Sequence, residues 1–152
     1  MKIFISVVSC VAIGFLAGMA TAEAIPTWYV TLNKPFFNPP NWLFGPVWTV
    51  LYLAMGLAAG LIWNQSTTNP LAKGALTIFV IQLVLNGSWS FFFFAWKQLL
   101  LSFFVIILLW LLIVLCIRRF RPINKLAAYF LYPYLLWVTF ASVLNFSIWY
   151  LN

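Results

Sequence analysis

The run LLLSFFVIILLWLLIVLCI, residues 99–117, contains one serine, no charged residue and otherwise apolar side chains. About 20 consecutive apolar residues suffice for an α-helix to cross a bilayer, so this run predicts a membrane-spanning helix. Four more apolar segments of similar length lie at residues 3–22, 44–63, 71–95 and 126–150. The sequence therefore predicts five transmembrane helices.

The composition agrees with this prediction. Of the 152 residues, 66% are hydrophobic and 6% are charged, whereas soluble domains are about half apolar and about one quarter charged. Five spans and their short connections leave no room for a soluble domain. We predict an all-α integral membrane protein, residues 1–152 forming one domain, a bundle of five transmembrane helices with a long first loop rich in proline and aromatic residues.

The shortage of ionisable residues excludes several classes of function. The chain has no histidine, and Glu23 is its only carboxylate. A paired-carboxylate glycosidase, a Ser-His-Asp hydrolase, a His/Asp/Glu metal site and a proton relay are therefore excluded within one chain. Cys10 and Cys116 lie inside apolar runs and are interpreted as small buried hydrophobic residues. We expect no metal site and no required cofactor.

The net charge of +7 reflects the topology and does not indicate nucleic-acid binding. With five spans, six positive residues fall on the side of the N-terminus: Lys2, Lys73, Arg118, Arg119, Arg121 and Lys125. The positive-inside rule then predicts a cytoplasmic N-terminus and an outward C-terminus. The cluster at 118–125 is also compatible with binding of anionic lipid or a ligand carboxylate. A helical bundle favours the cell membrane over a bacterial outer membrane.

The first segment could be a signal peptide or a retained helix. Its apolar length of about 20 exceeds the usual 7–15 of a signal core, which favours a retained helix. It also carries Gly14-x-x-x-Gly18, a spacing that lets helix backbones approach closely. Gly56 and Gly60 repeat this spacing in the second helix, where they could serve internal packing or a homodimer.

The first loop, AIPTWYVTLNKPFFNPPNWL at residues 24–43, contains four prolines that oppose a continuous helix. Trp28, Tyr29, Phe36, Phe37 and Trp42 make it too apolar for a solvated linker. It is interpreted either as a lid folded over the bundle or as an aromatic belt at the headgroups, and the two interpretations are compatible.

Polar groups occur beside tryptophan at membrane depth in three helices. Trp48 and Tyr52 share one face of the second helix, Asn86 lies one turn from Trp89, and Asn145 shares a face with Trp137. An unpaired amide in hydrocarbon costs several kcal/mol, so both asparagines are expected to face the bundle interior. They either join helices by hydrogen bonds or orient a ligand. The tryptophans either pack as core or stack on a flat ligand.

These residues resemble the signature of the TspO/MBR family, which includes the tryptophan-rich sensory proteins of bacteria and the translocator protein (peripheral benzodiazepine receptor). The loop and second helix carry Trp28-Tyr29, Leu32, Lys34-Pro35, Phe37, Pro39-Pro40, Trp42, Gly45-Pro46, Trp48, Leu51-Tyr52 and Met55-Gly56. The third and fifth helices add Gln82, Leu85-Asn86, Trp89, Phe92-Phe93, Pro133-Tyr134, Trp137, Leu144-Asn145 and Trp149.

The resemblance implies a receptor or sensor, often dimeric, whose pocket beneath the first loop binds protoporphyrin, haem and other tetrapyrroles. Some bacterial members break down protoporphyrin in light, and the two pocket tryptophans implicated match Trp48 and Trp137. The resemblance implies at most this one enzymatic activity, the light-dependent breakdown of protoporphyrin. The ligand-binding positions that the resemblance implies are Tyr29, Trp48, Asn86, Trp89, Trp137, Ala141 and Leu144. Tyr52 is added to them because it shares a face of the second helix with Trp48.

The chain departs from the animal members in one respect. No Lys or Arg follows Tyr150, so their cholesterol motif is incomplete and cholesterol is the less favoured ligand. The short tail and composition resemble bacterial members. Three hypotheses remain from the sequence: a membrane sensor for tetrapyrroles, a transporter of such amphipathic molecules, or a scaffold whose tryptophans only pack.

Overall fold

A computed structural model describes residues 1–152, and five helices account for nearly all of them. They are α1 (Lys2–Thr27), α2 (Asn41–Asn64), α3 (Leu71–Ser90), α4 (Leu99–Phe120) and α5 (Lys125–Leu151). A single π-helical turn, Phe91–Ala95, prolongs α3. All five helices are long and apolar enough to cross a membrane. The predicted fold class is confirmed, with 84% helix and no strand.

The helices form a closed ring in the order α1, α2, α5, α4, α3, with each helix packed on its two neighbours in that order. The ring order differs from the chain order, because the second neighbour of α2 is α5 and that of α1 is α3. The interior is filled by apolar side chains, whereas large hydrophobic residues such as Phe15, Val84 and Leu136 remain exposed on the outside. Apolar side chains on both the inside and the outside suit a bundle surrounded by lipid, because apolar surface that faces lipid does not need to be buried.

Glycines bring α1 and α2 into close contact. A Cβ atom placed on Gly60 would lie 2.5 Å from the Cα of Ile3, and one on Gly56 would collide with the backbone of Val7. These two residues therefore serve internal packing, which decides between the two roles left open by the sequence. On α1, Gly14 fits against the ring of Tyr52, whereas Gly18 has no neighbour within 4 Å.

Some helix limits differ from the predicted ones. The first loop was expected at residues 24–43, but α1 continues through Pro26 to Thr27 and α2 already begins at Asn41. Pro26 lies in the last turn of α1, and Trp28 N, two residues further on, still donates to the Ala24 carbonyl at 2.9 Å. Pro46 lies inside α2, because the helix begins five residues before it. At the start of α5, Asn124 caps the helix by accepting from Ala127 N at 3.1 Å.

Candidate functional site

An aromatic pocket lies at the end of the bundle where α2 begins and α5 ends. Six of the eight positions predicted to bind ligand line it: Tyr29, Trp48, Trp89, Trp137, Ala141 and Leu144. The remaining lining residues are Phe44, Phe93, Phe94, Asn145 and Ile148. Residues that are far apart in sequence thus meet around one cavity, as their predicted common role requires.

The pocket is nearly filled by its own side chains. Its cavity has a volume of about 20 Å³, whereas sites for drug-sized ligands measure about 300–1,000 Å³. The ring of Trp48 lies 6.1 Å from that of Trp89, and Phe44 lies 6.3 Å from Trp137 in an edge-to-face arrangement. The structure therefore shows the pocket closed, with its aromatic rings packed on one another.

Tyr52 and Asn86, the other two predicted positions, lie outside this pocket in a buried hydrogen-bond network. Tyr52 Oη donates to Asn86 Oδ1 at 2.6 Å, and Asn86 Nδ2 donates to Tyr134 Oη at 2.5 Å. Tyr134 Oη donates to Gln82 Oε1 at 2.8 Å. We call Tyr52, Gln82, Asn86 and Tyr134 the polar floor. It ties α2, α3 and α5 together, and both amide functions of Asn86 already have protein partners.

Asn145 is engaged in the same way on the other side of the pocket. Its Oδ1 accepts from Trp89 Nε1 at 3.1 Å and from Ser102 Oγ at 3.0 Å, and its Nδ2 donates to the Leu99 carbonyl at 2.9 Å. Asn145 is 1% exposed, as is Asn86. Both asparagines face the bundle interior as expected, and each joins helices through hydrogen bonds.

Two buried polar atoms have no partner: Trp137 Nε1 and Gln82 Nε2. An unsatisfied buried donor costs about 1–3 kcal/mol, so such atoms are uncommon in a closed core. Trp137 lines the aromatic pocket, so its buried indole N–H is free to bond a ligand acceptor, whereas that of Trp89 is already bonded to Asn145. Gln82 belongs to the polar floor, one helical turn from Asn86.

The first loop covers the pocket as a lid, formed by residues 28–40. Tyr29 is 1% exposed and packs on Phe44 and Phe94 at 6.1 and 5.9 Å, while its hydroxyl donates to Asn38 Oδ1 at 2.6 Å. Burial raises the pKa of Tyr29 above its usual value, which further favours the protonated phenol that donates to Asn38. Lys34 Nζ donates to the Tyr29 carbonyl at 2.9 Å.

The tip of the lid is also bonded to the end of α5. Asn33 N donates to Asn152 Oδ1 at 3.0 Å, and Asn152 Nδ2 donates to the Asn33 carbonyl at 2.8 Å. In contrast, Phe36 and Trp42 project outward, with exposed fractions of 101% and 72%. The loop therefore folds inward as a lid, and the outward rings of Phe36 and Trp42 are placed as the belt interpretation requires.

Sequence reasoning missed four residues of the pocket as ligand-binding candidates: Phe44, Phe93, Phe94 and Ile148. Helical spacing could have found Phe44, four residues before Trp48, and Ile148, four residues after Leu144. Phe94 carries no such signal. It adjoins Phe93 in the π-helical turn, and both are buried and contact Tyr29.

A larger cavity, the side groove, opens on the outer surface between α1 and α2. Its volume is about 480 Å³, and Phe44 and Trp48 line it as well as the aromatic pocket. The other walls combine small and apolar residues: Val11, Gly14, Phe15, Ala17, Gly18, Met19, Ala22, Ile25, Gly45 and Tyr52, with Thr21, Thr49 and Ser90. Neither cavity is lined by a charged residue.

This pocket, built by tryptophans from three helices under an aromatic lid, matches the arrangement implied by the sequence signature. The TspO/MBR family model matches residues 6–151. The chain belongs to the TspO/MBR family. It is 42% identical over 147 residues to the tryptophan-rich protein TspO of Chlorobaculum tepidum, an alignment that covers 94% of this chain and 90% of the relative.

Animal and other bacterial relatives in the family are also similar. The translocator protein of Bos taurus is 33% identical over 137 residues, covering 90% of this chain and 81% of the relative. The tryptophan-rich sensory protein of Cereibacter sphaeroides is 35% identical over 125 residues, covering 82% and 77%. The chain is thus a TspO-type integral multi-pass membrane protein of the sensor or translocator kind.

Proposed function

We propose that this TspO-family protein is a membrane receptor that binds tetrapyrroles such as protoporphyrin or haem in the aromatic pocket. The observation that carries the proposal is the convergence of Trp48, Trp89 and Trp137 on one apolar cavity under the lid. A tetrapyrrole is a large flat π-system, which aromatic faces hold by stacking and by apolar burial. The free N–H of Trp137 supports a contact with a polar edge of the ligand.

Binding requires the closed pocket to expand, because about 20 Å³ cannot hold a macrocycle. The lining rings make only edge-to-face and tilted contacts with neighbouring rings, Phe44 with Trp137 and Trp48 with Tyr52 and Trp89. Such contacts are worth about 0.5–1.5 kcal/mol each beyond their buried area, and stacking on a flat ligand replaces them. Contacts with the ligand thus replace the contacts that the lining rings make with neighbouring rings in the closed pocket.

We also propose that the protein breaks down the ligand in light, and we propose no other catalytic role. Trp48 and Trp137 line the pocket on α2 and α5. A light-excited macrocycle beside them would take one electron from an indole, which is thereby oxidised while the macrocycle is reduced. This step needs neither histidine nor carboxylate, and the chain has no histidine and one carboxylate.

Titration of purified protein in detergent with protoporphyrin, followed by tryptophan fluorescence in the dark and then in light, tests the proposal. The double variant Trp48→Phe, Trp137→Phe is compared with Trp42→Phe, an exposed tryptophan outside the pocket. We expect saturable quenching that weakens in the double variant only, and a loss of the porphyrin spectrum confined to light. Non-saturable quenching, equal in all three proteins, would show micelle partitioning and would refute the receptor.

Transport is the second candidate, favoured by the translocator proteins among the relatives. The two functions differ in whether ligand accumulates on one side of the bilayer. Protein in proteoliposomes is expected to bind tetrapyrrole without accumulating it, because no charged residue lines either cavity and could couple an ion gradient. Accumulation against a gradient would establish transport instead.

We further propose that the protein lies in a bacterial cell membrane as a homodimer, with the N-terminus in the cytoplasm and the C-terminus outside. The excess of positive residues on the N-terminal side supports this orientation. In a variant without Cys10 and Cys116, a thiol at Arg121 is expected to react only from the cytoplasmic side and one at Leu151 only from outside. Cross-linking in native membranes tests the dimer.

A further inference from the structure

The side groove lies where a molecule dissolved in the bilayer can reach it. It follows α1 from Val11 to Ile25, about 21 Å along the helix axis, and one leaflet contributes about 15 Å of hydrocarbon. The groove therefore runs from mid-bilayer to the lid side of the bundle. Its volume of about 480 Å³ is within the range of about 300–1,000 Å³ that holds drug-sized ligands.

Only Phe44 and Trp48 belong to the walls of both the side groove and the aromatic pocket. Their rings are held by aromatic contacts: Phe44 with Tyr29 and Trp137, and Trp48 with Tyr52 and Trp89, at centroid distances of 5.9–6.3 Å. No hydrogen bond joins the Trp48 indole to another residue. A change in these two side chains would join the cavities.

The lid, the other boundary of the pocket, is held more firmly. Hydrogen bonds join Tyr29 to Asn38, and Asn33 to Asn152 in both directions. Opening it would expose these polar groups and lift Tyr29 out of its buried position. We therefore infer that Phe44 and Trp48 are a smaller barrier to the entry of an apolar ligand than the lid is.

Besides the Trp48 indole, one hydroxyl of the groove has no partner. Ser90, at the end of α3, is 7% exposed, lines the groove and forms no hydrogen bond in the structure. Thr21 and Thr49, the other hydroxyl residues of the groove, already donate to the carbonyls of Ala17 and Gly45. The Ser90 hydroxyl is thus available to a ligand that rests in the groove.

We propose that the side groove is a first binding site for the tetrapyrrole, which reaches it from the bilayer and passes Phe44 and Trp48 into the aromatic pocket while the lid stays closed. This inference rests on the proposed function. The macrocycle fits the groove by volume, by its apolar walls and by the indole of Trp48, on which it stacks before and after the passage. The Ser90 hydroxyl bonds a polar atom of the macrocycle during this stay.

Filling the groove separates this pathway from access through the lid. Gly18 lines the groove and a Cβ atom there has no neighbour within 4 Å, so Gly18→Phe adds a phenyl group to the groove with no clash at its Cβ. Gly74→Phe is the matched control, since Gly74 on α3 is equally unobstructed and lies outside both cavities. Stopped-flow quenching by protoporphyrin in lipid nanodiscs measures association and dissociation, and a titration measures the Kd.

We expect Gly18→Phe to slow association and dissociation by about tenfold or more at a nearly unchanged Kd, and Gly74→Phe to change neither rate. Unchanged rates in Gly18→Phe would refute the groove pathway. A weakened Kd with normal association would also refute it, because the groove would then be the final site. If quenching of the wild-type protein does not saturate, the receptor proposal itself fails. This outcome is distinct from the two results for Gly18→Phe that refute only the groove pathway.

Asn152→Ala provides the complementary test, because it removes both bonds between Asn152 and the tip of the lid. If ligand passes through the groove, association in this variant matches that of the wild type. Association that rises by about tenfold would place the route at the lid and would overturn the proposal.

Discussion

Tyr134→Phe removes one oxygen atom from the centre of the polar floor. That hydroxyl accepts from Asn86 Nδ2 at 2.5 Å and donates to Gln82 Oε1 at 2.8 Å, and Tyr134 is fully buried. Without it, Asn86 keeps only its bond from Tyr52, and the Gln82 side chain has no partner, because its Nε2 is already unpaired. Packing is otherwise preserved, since the phenyl ring remains.

The size of the effect follows from these two lost bonds. An unsatisfied buried group costs about 1–3 kcal/mol in proteins, whereas interhelical hydrogen bonds in membranes average about 0.6 kcal/mol. We therefore expect Tyr134→Phe to lower the free energy of unfolding by about 2 kcal/mol. Tyr52→Phe, which removes one bond, should cost about 1 kcal/mol. Tyr132→Phe, at an exposed tyrosine on the same helix, is the control and should cost almost nothing.

Reversible unfolding in mixed detergent micelles with increasing dodecyl sulfate, followed by circular dichroism, measures the three differences. The order Tyr134 > Tyr52 > Tyr132 tests the network independently of the absolute scale. A Tyr134→Phe loss within about 0.5 kcal/mol of the Tyr132→Phe loss would contradict the reasoning, because surface substitutions alone produce changes of that size.

Gly60→Val should destabilise the bundle by about 1–3 kcal/mol or more in the same assay, because its side chain meets the α1 backbone, whereas Gly74→Val has open space and should not. Trp89→Phe loses a hydrogen bond to α5 and Trp137→Phe loses only an unpaired donor, so Trp89→Phe should be the more destabilising by about 1 kcal/mol. Asn152→Ala should speed hydrogen exchange in the lid, and unchanged exchange would show that its bonds do not hold the lid closed.

Most of the fold could be predicted because lipid imposes a simple rule on sequence. Each span must satisfy its own backbone and therefore appears as a long apolar run. The limits were wrong where the chain leaves the hydrocarbon. At Pro26 and Asn41 the helices extend beyond the apolar segments, since interfacial residues can continue a helix without being hydrophobic. The ring order of the helices was not predicted, because apolar composition does not specify helix neighbours.

The structure brings six of the eight predicted site positions together around one cavity. Tyr52 and Asn86 lie instead in the polar floor, and sequence spacing could not reveal this, because a face shared with tryptophan extends over several turns. The π-helical turn that brings Phe94 to Tyr29 beside Phe93 left no sequence signal. The closed state of the pocket depends on side-chain rotamers and is equally invisible in the sequence.

Two groups of residues determine where the pocket can expand: the rings that line it, and the polar floor, whose Tyr52 and Tyr134 pack behind the lining residue Trp48. The polar floor is bonded across three helices in a region where a broken hydrogen bond finds no water, so expansion there is costly. Phe44 and Trp48 lose only aromatic contacts, which a flat ligand restores. Substitutions in the floor should therefore change stability and leave the Kd of the folded protein nearly unchanged. Substitutions at Phe44 or Trp48 should raise the Kd of the folded protein, and a site that depended on Asn86 for ligand contact would not show this separation.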